Sequence, residues 1–132
     1  LMLDADGEAR ITDFGLCKFL EESTSTTTGR ILGSPRYMAP EQWKGEETGP
    51  WTDIYAAAMT LHYLLTARPP FDAEETLGLM YQHLHYERPD PRQWNDSVPG
   101  TAVEVIKKAA APEPEARHGS ADALREALQR AG

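Results

Sequence analysis

From Ile54 to Ala67 the chain carries no formally charged residue, His62 being neutral at pH 7. This run constrains the fold more than any other segment. A bilayer span takes roughly 20 apolar residues, so the run is too short to cross one and needs cover from the rest of the chain. Thr52 is placed to cap a helix that runs through Ile54, Ala57, Ala58, Leu61 and Leu65, and Arg68-Pro69-Pro70 ends it. With no charge on any face, that helix is expected to be buried all round.

Covering elements follow in order. Asp72-Ala73-Glu74-Glu75 reads as the start of a second helix through Leu77, Met80, Tyr81 and Leu84. Glu87 to Pro99, with Pro89, Pro91 and Pro99, reads as a loop anchored by Trp94. Thr101 and Glu104 have capping-box spacing ahead of Val105, Ile106, Ala109 and Ala110, and Pro112 and Pro114 stop that helix. Ser120 caps a last helix with Leu124, Ala127, Leu128 and Ala131 on one face. Glu126 and Arg130 sit four apart on the other. No internal repeat or linker divides the 132 residues, so residues 1–132 are expected to form one unit.

Composition narrows the partners. The chain is 40% hydrophobic and 26% charged, which is the balance of a globular protein and not of a disordered one. A net charge of -8 disfavours nucleic acid or an anionic membrane as a main partner, since both are polyanions. One cysteine, Cys17, allows no intramolecular disulfide and fits a reducing compartment, so a cytoplasmic location is expected. Leu1-Met2-Leu3-Asp4 has neither the basic region nor the cleavage site of a signal peptide and reads as a truncated start.

The N-terminal quarter carries the motifs. Leu1 to Thr12 reads as a hairpin turned at Asp4-Ala5-Asp6-Gly7, where Asp6-Gly7 supplies the positive φ of a tight turn. Asp13-Phe14-Gly15 follows at once, and residues 16–35 have no sustained period. Within them Ser23 to Thr28 is an unbroken run of hydroxyl residues, and Gly33-Ser34-Pro35-Arg36-Tyr37-Met38-Ala39-Pro40-Glu41 closes the segment. Taken alone, Asp-Phe-Gly is a turn carboxylate at a strand end and a hydroxyl-rich loop is a soluble loop. Their joint order is far more specific. At these residues the chain resembles a eukaryotic-like (Hanks-type) serine/threonine protein kinase, and the likeness extends from Leu1 to about Leu128, roughly half of that catalytic domain.

The resemblance implies an α+β, mainly α-helical fold, the C-terminal large lobe of a kinase with a short β-hairpin and an activation segment. It implies that Asp13 holds Mg2+ against the phosphates of ATP, with Phe14 as a packing switch and Gly15 giving the loop freedom to turn. Thr26 and Thr28 are the implied regulatory phosphosites, where a phosphate could recruit an arginine and order the segment. Ser34 is implied to support the catalytic loop and the acceptor site, in the loop that receives the residue after the acceptor hydroxyl. Glu41 is implied to pair with Arg117, and Asp53 to brace the catalytic loop as well as suiting its helix N-terminus. The sequence contains no Gly-rich loop, strand lysine or His-Arg-Asp loop, so the isolated chain is expected to be inactive.

Implied partners are protein substrates and the missing N-lobe. The rival reading is a non-catalytic kinase-like module that binds partners through its helices, against which a retained Asp13 argues. A helical interaction domain matching by accident would need the Asp13 and Glu41 motifs to be unlinked. Departures from the family pattern are Ala58 and Ala67 where glycine is common, Tyr63 where an acid is common, and Ala111 and Ala116 in place of charges. Other features take a bland reading. Gly29 and Gly33 form no P-loop without a lysine, and His83 and His85 face different ways on a helix. His62 and His118 have no evident partners, and Cys17 suits a packed position.

Overall fold

The computed structural model describes Met2, Leu3, Ala9, Arg10 and residues 35–132. The chain divides into two compact units, Leu1–Ser34 and Pro35–Gly132. In the first, β1 (Met2–Leu3) pairs antiparallel with β2 (Ala9–Arg10), Met2 opposite Arg10 and Leu3 opposite Ala9. This is the hairpin expected from the alternating leucines. Its turn, and the segment expected to be a long loop up to Ser34, lie outside the described residues.

The second unit is helical. After a 3-10 turn at Pro35–Tyr37 come α1 (Pro40–Lys44), α2 (Pro50–Thr66), α3 (Thr76–His85), α4 (Gly100–Ala109) and α5 (Ala121–Ala131). Helix α2 is central and packs on α4, α5 and the Pro35–Tyr37 turn. Helix α3 packs on α1 and on the same turn. Ile54, Tyr55, Ala58 and Met59 of α2 form the core with Phe71, Leu79, Ile106, Ala109 and Leu124. Among the described residues no helix is long and apolar enough to cross a membrane.

The sequence expectations need several corrections. Helix α2 starts at Pro50, so Thr52 lies inside its first turn. The Thr52 hydroxyl reaches back to accept the Gly49 N–H at 3.2 Å. Proline at the first helical position forgoes an N–H that has no helical partner there, which is why the helix can begin two residues early. Nor is α2 buried all round. Tyr63 is 43% exposed and Leu64 63%. Lack of charge permits burial, but only a packing partner supplies it, and α4 and α5 cover one side. The helix ends at Ala67, in the left-handed region at φ 57°, whose N–H reaches the Tyr63 carbonyl at 2.7 Å.

In α3 the buried positions are Leu79 and His83, not Leu77 or Tyr81, which are exposed. Trp94 is 41% exposed and meets His62 edge-on. The loop is fixed instead by buried Pro91 and Val98, and by Asn95 donating to the Leu65 carbonyl at 2.9 Å. Helix α4 begins at Gly100 with no side-chain cap, and Thr101 donates its hydroxyl to the Ala131 carbonyl at the end of α5. Ser120 does cap α5, accepting the Ala123 N–H at 3.0 Å.

Candidate functional site

Pro40 opens α1 in the conformation a first helical turn needs. It thereby fixes where Glu41 can point. Arg117 follows a 3-10 turn at Pro114–Ala116. The two side chains meet as a fork, Nη1 to Oε1 at 2.7 Å and Nη2 to Oε2 at 2.9 Å, with both buried. Thr52 donates to Oε1 at 2.9 Å. The other Arg117 donors reach the carbonyls of Ala111, Trp51 and Pro112, and its guanidinium lies 4.9 Å from the Tyr55 ring centroid. Every N–H direction of the guanidinium is thus used. Burial acts to raise the Glu41 carboxyl, but hydrogen bonds from Arg117 and Thr52 and the Arg117 charge together hold it below the ordinary 4.5. A bidentate pair of this kind fixes register. Here it joins α1, the start of α2 and the segment after α4.

A second buried polar centre lies on the other contacts of Tyr55. His83, with no exposed surface, places Nδ1 2.7 Å from the Tyr55 hydroxyl. Arg88 donates to that hydroxyl at 3.2 Å and to the His83 carbonyl at 2.9 Å. Its remaining donors hold the Ala110 and Tyr86 carbonyls. Arginine can only donate, so the phenol oxygen accepts from Arg88 while it shares a second hydrogen bond with His83 Nδ1. Burial pushes the Tyr55 hydroxyl up to about 12, so it stays a donor. Burial, helped by the Arg88 charge, pushes His83 down to about 4, so the ring is neutral. Phe71, Tyr55 and Trp43 surround it, with ring centroids at 4.9, 5.7 and 6.2 Å.

The structure therefore brings Glu41 and Arg117 together. Asp53 sits exposed in the first turn of α2, away from that pair's hydrogen bonds, where its charge faces the helix N-terminus. Asp13, Phe14, Gly15, Thr26, Thr28 and Ser34 lie outside the described residues, as does Cys17. Among the described residues no group of three or more His, Cys, Asp or Glu side chains could hold a metal ion. His62 does have partners, contrary to expectation. It is buried, its Nδ1 lies 3.1 Å from the Arg68 carbonyl and 3.3 Å from the Thr66 hydroxyl, and burial lowers its pKa. His85 is exposed and lies against Tyr81 with the rings tilted by 45°. No sequence pattern links Tyr55, His83 and Arg88 as a group. The one usable signal is that a tyrosine in an uncharged, buried helix must find a partner for its hydroxyl.

The family model described as "Protein kinase domain" matches residues 1–129. The chain belongs to the protein kinase domain family. Similar proteins within it carry serine/threonine kinase names. The serine/threonine-protein kinase PrkC of Bacillus subtilis is 38% identical over 122 residues, covering 92% of this chain and 19% of that protein. The DNA damage-responsive serine/threonine-protein kinase RqkA of Deinococcus radiodurans is 37% identical, covering 94% and 19%. PknB of Mycobacterium leprae is 30% identical, covering 98% and 21%. The chain thus spans about a fifth of the length of these relatives. Among solved structures, the twitchin kinase region from C. elegans aligns at a TM-score of 0.62 over 71% of this chain and 16% of that one. At 19% identity this speaks for the fold alone. The mainly helical, kinase-like lobe expected from the motifs is the fold found.

Proposed function

We propose that this chain is the C-terminal lobe of a cytoplasmic serine/threonine protein kinase, which transfers the γ-phosphoryl of Mg-ATP to Ser or Thr hydroxyls of protein substrates. The observation that carries the reading is the buried Glu41–Arg117 fork. Two residues 76 apart, one closing the motif segment and one far downstream, meet as the family likeness requires. The pair fixes Glu41, the last residue of the motif stretch, to the segment after α4.

Asp13 is the residue that would hold Mg2+, with Phe14 and Gly15 shaping the turn that aims it. Bound there, the cation would neutralise charge on the ATP phosphates. Ser34 would hold the acceptor side by hydrogen bonding. Phosphate on Thr26 or Thr28 would add about -1.5 to -2 charges and order the segment against an arginine. The 132 residues contain no general base, nucleotide lysine or second metal-binding side chain from a catalytic loop, so alone they should label no substrate.

The test uses the full-length protein with Mg-ATP and its Asp13→Ala variant. Labelling of protein by the wild type, reduced by more than about 100-fold in the variant, supports the reading. Undiminished labelling by the variant sinks it. A wild type that labels nothing but retains a protein partner would favour the non-catalytic module.

A further inference from the structure

We propose that Thr52 positions Glu41 for phosphoryl transfer: its hydroxyl, tied to the start of α2, holds the carboxylate in the orientation that meets Arg117. The effect on transfer rests on the kinase reading above, whereas the hold on Glu41 does not.

The hydroxyl is a one-way bridge. It lies 3.2 Å from the Gly49 nitrogen and 2.9 Å from Glu41 Oε1. A backbone N–H can only donate and an ionised carboxylate can only accept, so Thr52 accepts from Gly49 and donates its own proton to Glu41. Thr52 is 7% exposed and Glu41 2%, which leaves water little access to the bond between them. The same turn serves the other partner. The Trp51 carbonyl accepts from Arg117 Nη1 at 2.9 Å, the nitrogen that also reaches Glu41 Oε1 at 2.7 Å. The Trp51 ring lies directly on Gly49, where a Cβ would come within 2.6 Å of it. Consecutive residues therefore grip the two halves of the ion pair, Trp51 through its backbone and Thr52 through its side chain. Arg117 has the carbonyls of Ala111, Trp51 and Pro112 to fix it. Glu41 has no such set. Among the described residues its side chain meets only Arg117 and Thr52, so Thr52 is the tie that decides which way the carboxylate faces.

Two substitutions separate the hydroxyl from the bulk around it. Thr52→Val keeps the shape and loses the hydroxyl, while Thr52→Ser keeps the hydroxyl and loses a methyl. Full-length proteins are unfolded in urea at pH values from 7 down to 3, and assayed at pH 7.5 with Mg-ATP and dephosphorylated casein as the probe. Thr52→Val should raise the unfolding constant about tenfold at pH 7, the scale of a hydrogen bond to a charged group. Its acid limb should also move to higher pH, because one of the bonds that hold the Glu41 carboxyl below 4.5 is gone and the pair is lost earlier as pH falls. The groups facing Glu41 are Arg117, a permanent cation, and across it Tyr55, a neutral phenol; Asp53 in the same turn is exposed. His83 titrates at about 4 in all three proteins, so the difference between their curves belongs to Glu41. The kcat/KM for casein should fall roughly threefold in Thr52→Val and stay within about 1.5-fold in Thr52→Ser.

A wild-type acid limb in Thr52→Val overturns the inference. So does a Thr52→Ser limb that matches Thr52→Val, since lost packing would then be the cause. A moved limb with labelling unchanged overturns it too, because the orientation of Glu41 would not matter to the reaction. Should Thr52→Val not fold, Thr52→Ser and Thr52→Ala decide, and equal limbs in those two are fatal. Wild-type protein that labels neither casein nor itself defeats the kinase reading, and the acid limbs then decide alone whether Thr52 holds Glu41.

Discussion

The two buried polar centres of this lobe both touch Tyr55, yet they are built on opposite terms. At Glu41–Arg117 two full charges are buried, and every donor direction of the guanidinium meets an oxygen. At His83 the ring is neutral and, among the described residues, Nε2 has no hydrogen-bond partner. The difference follows from desolvation. A buried charge without a complete set of partners costs several kcal/mol or changes its protonation, whereas a neutral ring can forgo one hydrogen bond for about 1–3 kcal/mol. The charged centre is fully satisfied because Trp51 in the first turn of α2, and Ala111 and Pro112 in the segment after α4, turn their carbonyls toward Arg117. His83 sits in the last turn of α3 among aromatic rings that offer few acceptors.

The largest expected effect breaks the charged centre. Arg117→Met leaves Glu41 buried without its countercharge and should lower unfolding stability by about 3–5 kcal/mol in urea denaturation. Pairing it with Glu41→Leu should recover most of that loss, because replacing both partners removes the stranded charge. A double variant as unstable as the single one would mean that packing, not charge completion, governs the site.

The neutral centre is broken by acid. His83 in the folded lobe titrates at about 4 against an ordinary 6.5, so between those values the unfolded chain binds more protons. Its stabilising contribution is present above pH 6.5 and is lost as pH falls toward 4, on the order of 3 kcal/mol. His62 and His118 are also lowered by burial and add to the slope with the same sign. His83→Gln should flatten the pH 6.5 to 4 limb while leaving the lower limb. Glu41, held below 4.5, acts in that lower range and is lost as pH falls through its depressed value. An unchanged slope in His83→Gln would remove the contrast between the two centres.

The helices, the hairpin and the Glu41–Arg117 partnership were legible because each rests on a strong local signal or on a specific motif. Ser120 caps α5 as its position demands, and Leu124 and Ala131 face inward at helical spacing. The helix starts at Pro50 and Gly100 are not legible, because proline and glycine there supply no side-chain cap while Thr52 and Thr101 nearby carry hydroxyls that could. Exposure of Tyr63 and Leu64 was illegible for another reason. Hydropathy reports what a residue tolerates, while burial depends on which neighbour arrives. The Tyr55–His83–Arg88 centre draws single residues from three separate segments, and no short-range pattern links them.

The surface sharpens the comparison from its weak end. First comes the backbone. Ala67 closes α2 at φ 57°, a conformation in which its Cβ is crowded. Ala67→Gly should raise stability by about 0.5–1 kcal/mol, the left-handed strain removed exceeding the entropy a glycine adds to the unfolded chain. Smallest is the exposed pair Glu126–Arg130 on α5, with Nη2 to Oε2 at 3.5 Å and side chains 56% and 80% exposed. It is the same chemical pair as Glu41–Arg117, four residues apart instead of 76, and water solvates both partners. Either charge left alone there is simply hydrated, so Glu126→Ala should cost no more than about 0.5 kcal/mol, less still in high salt. Were it to cost as much as Arg117→Met, desolvation could not be what separates the strong centres of this lobe from the weak ones.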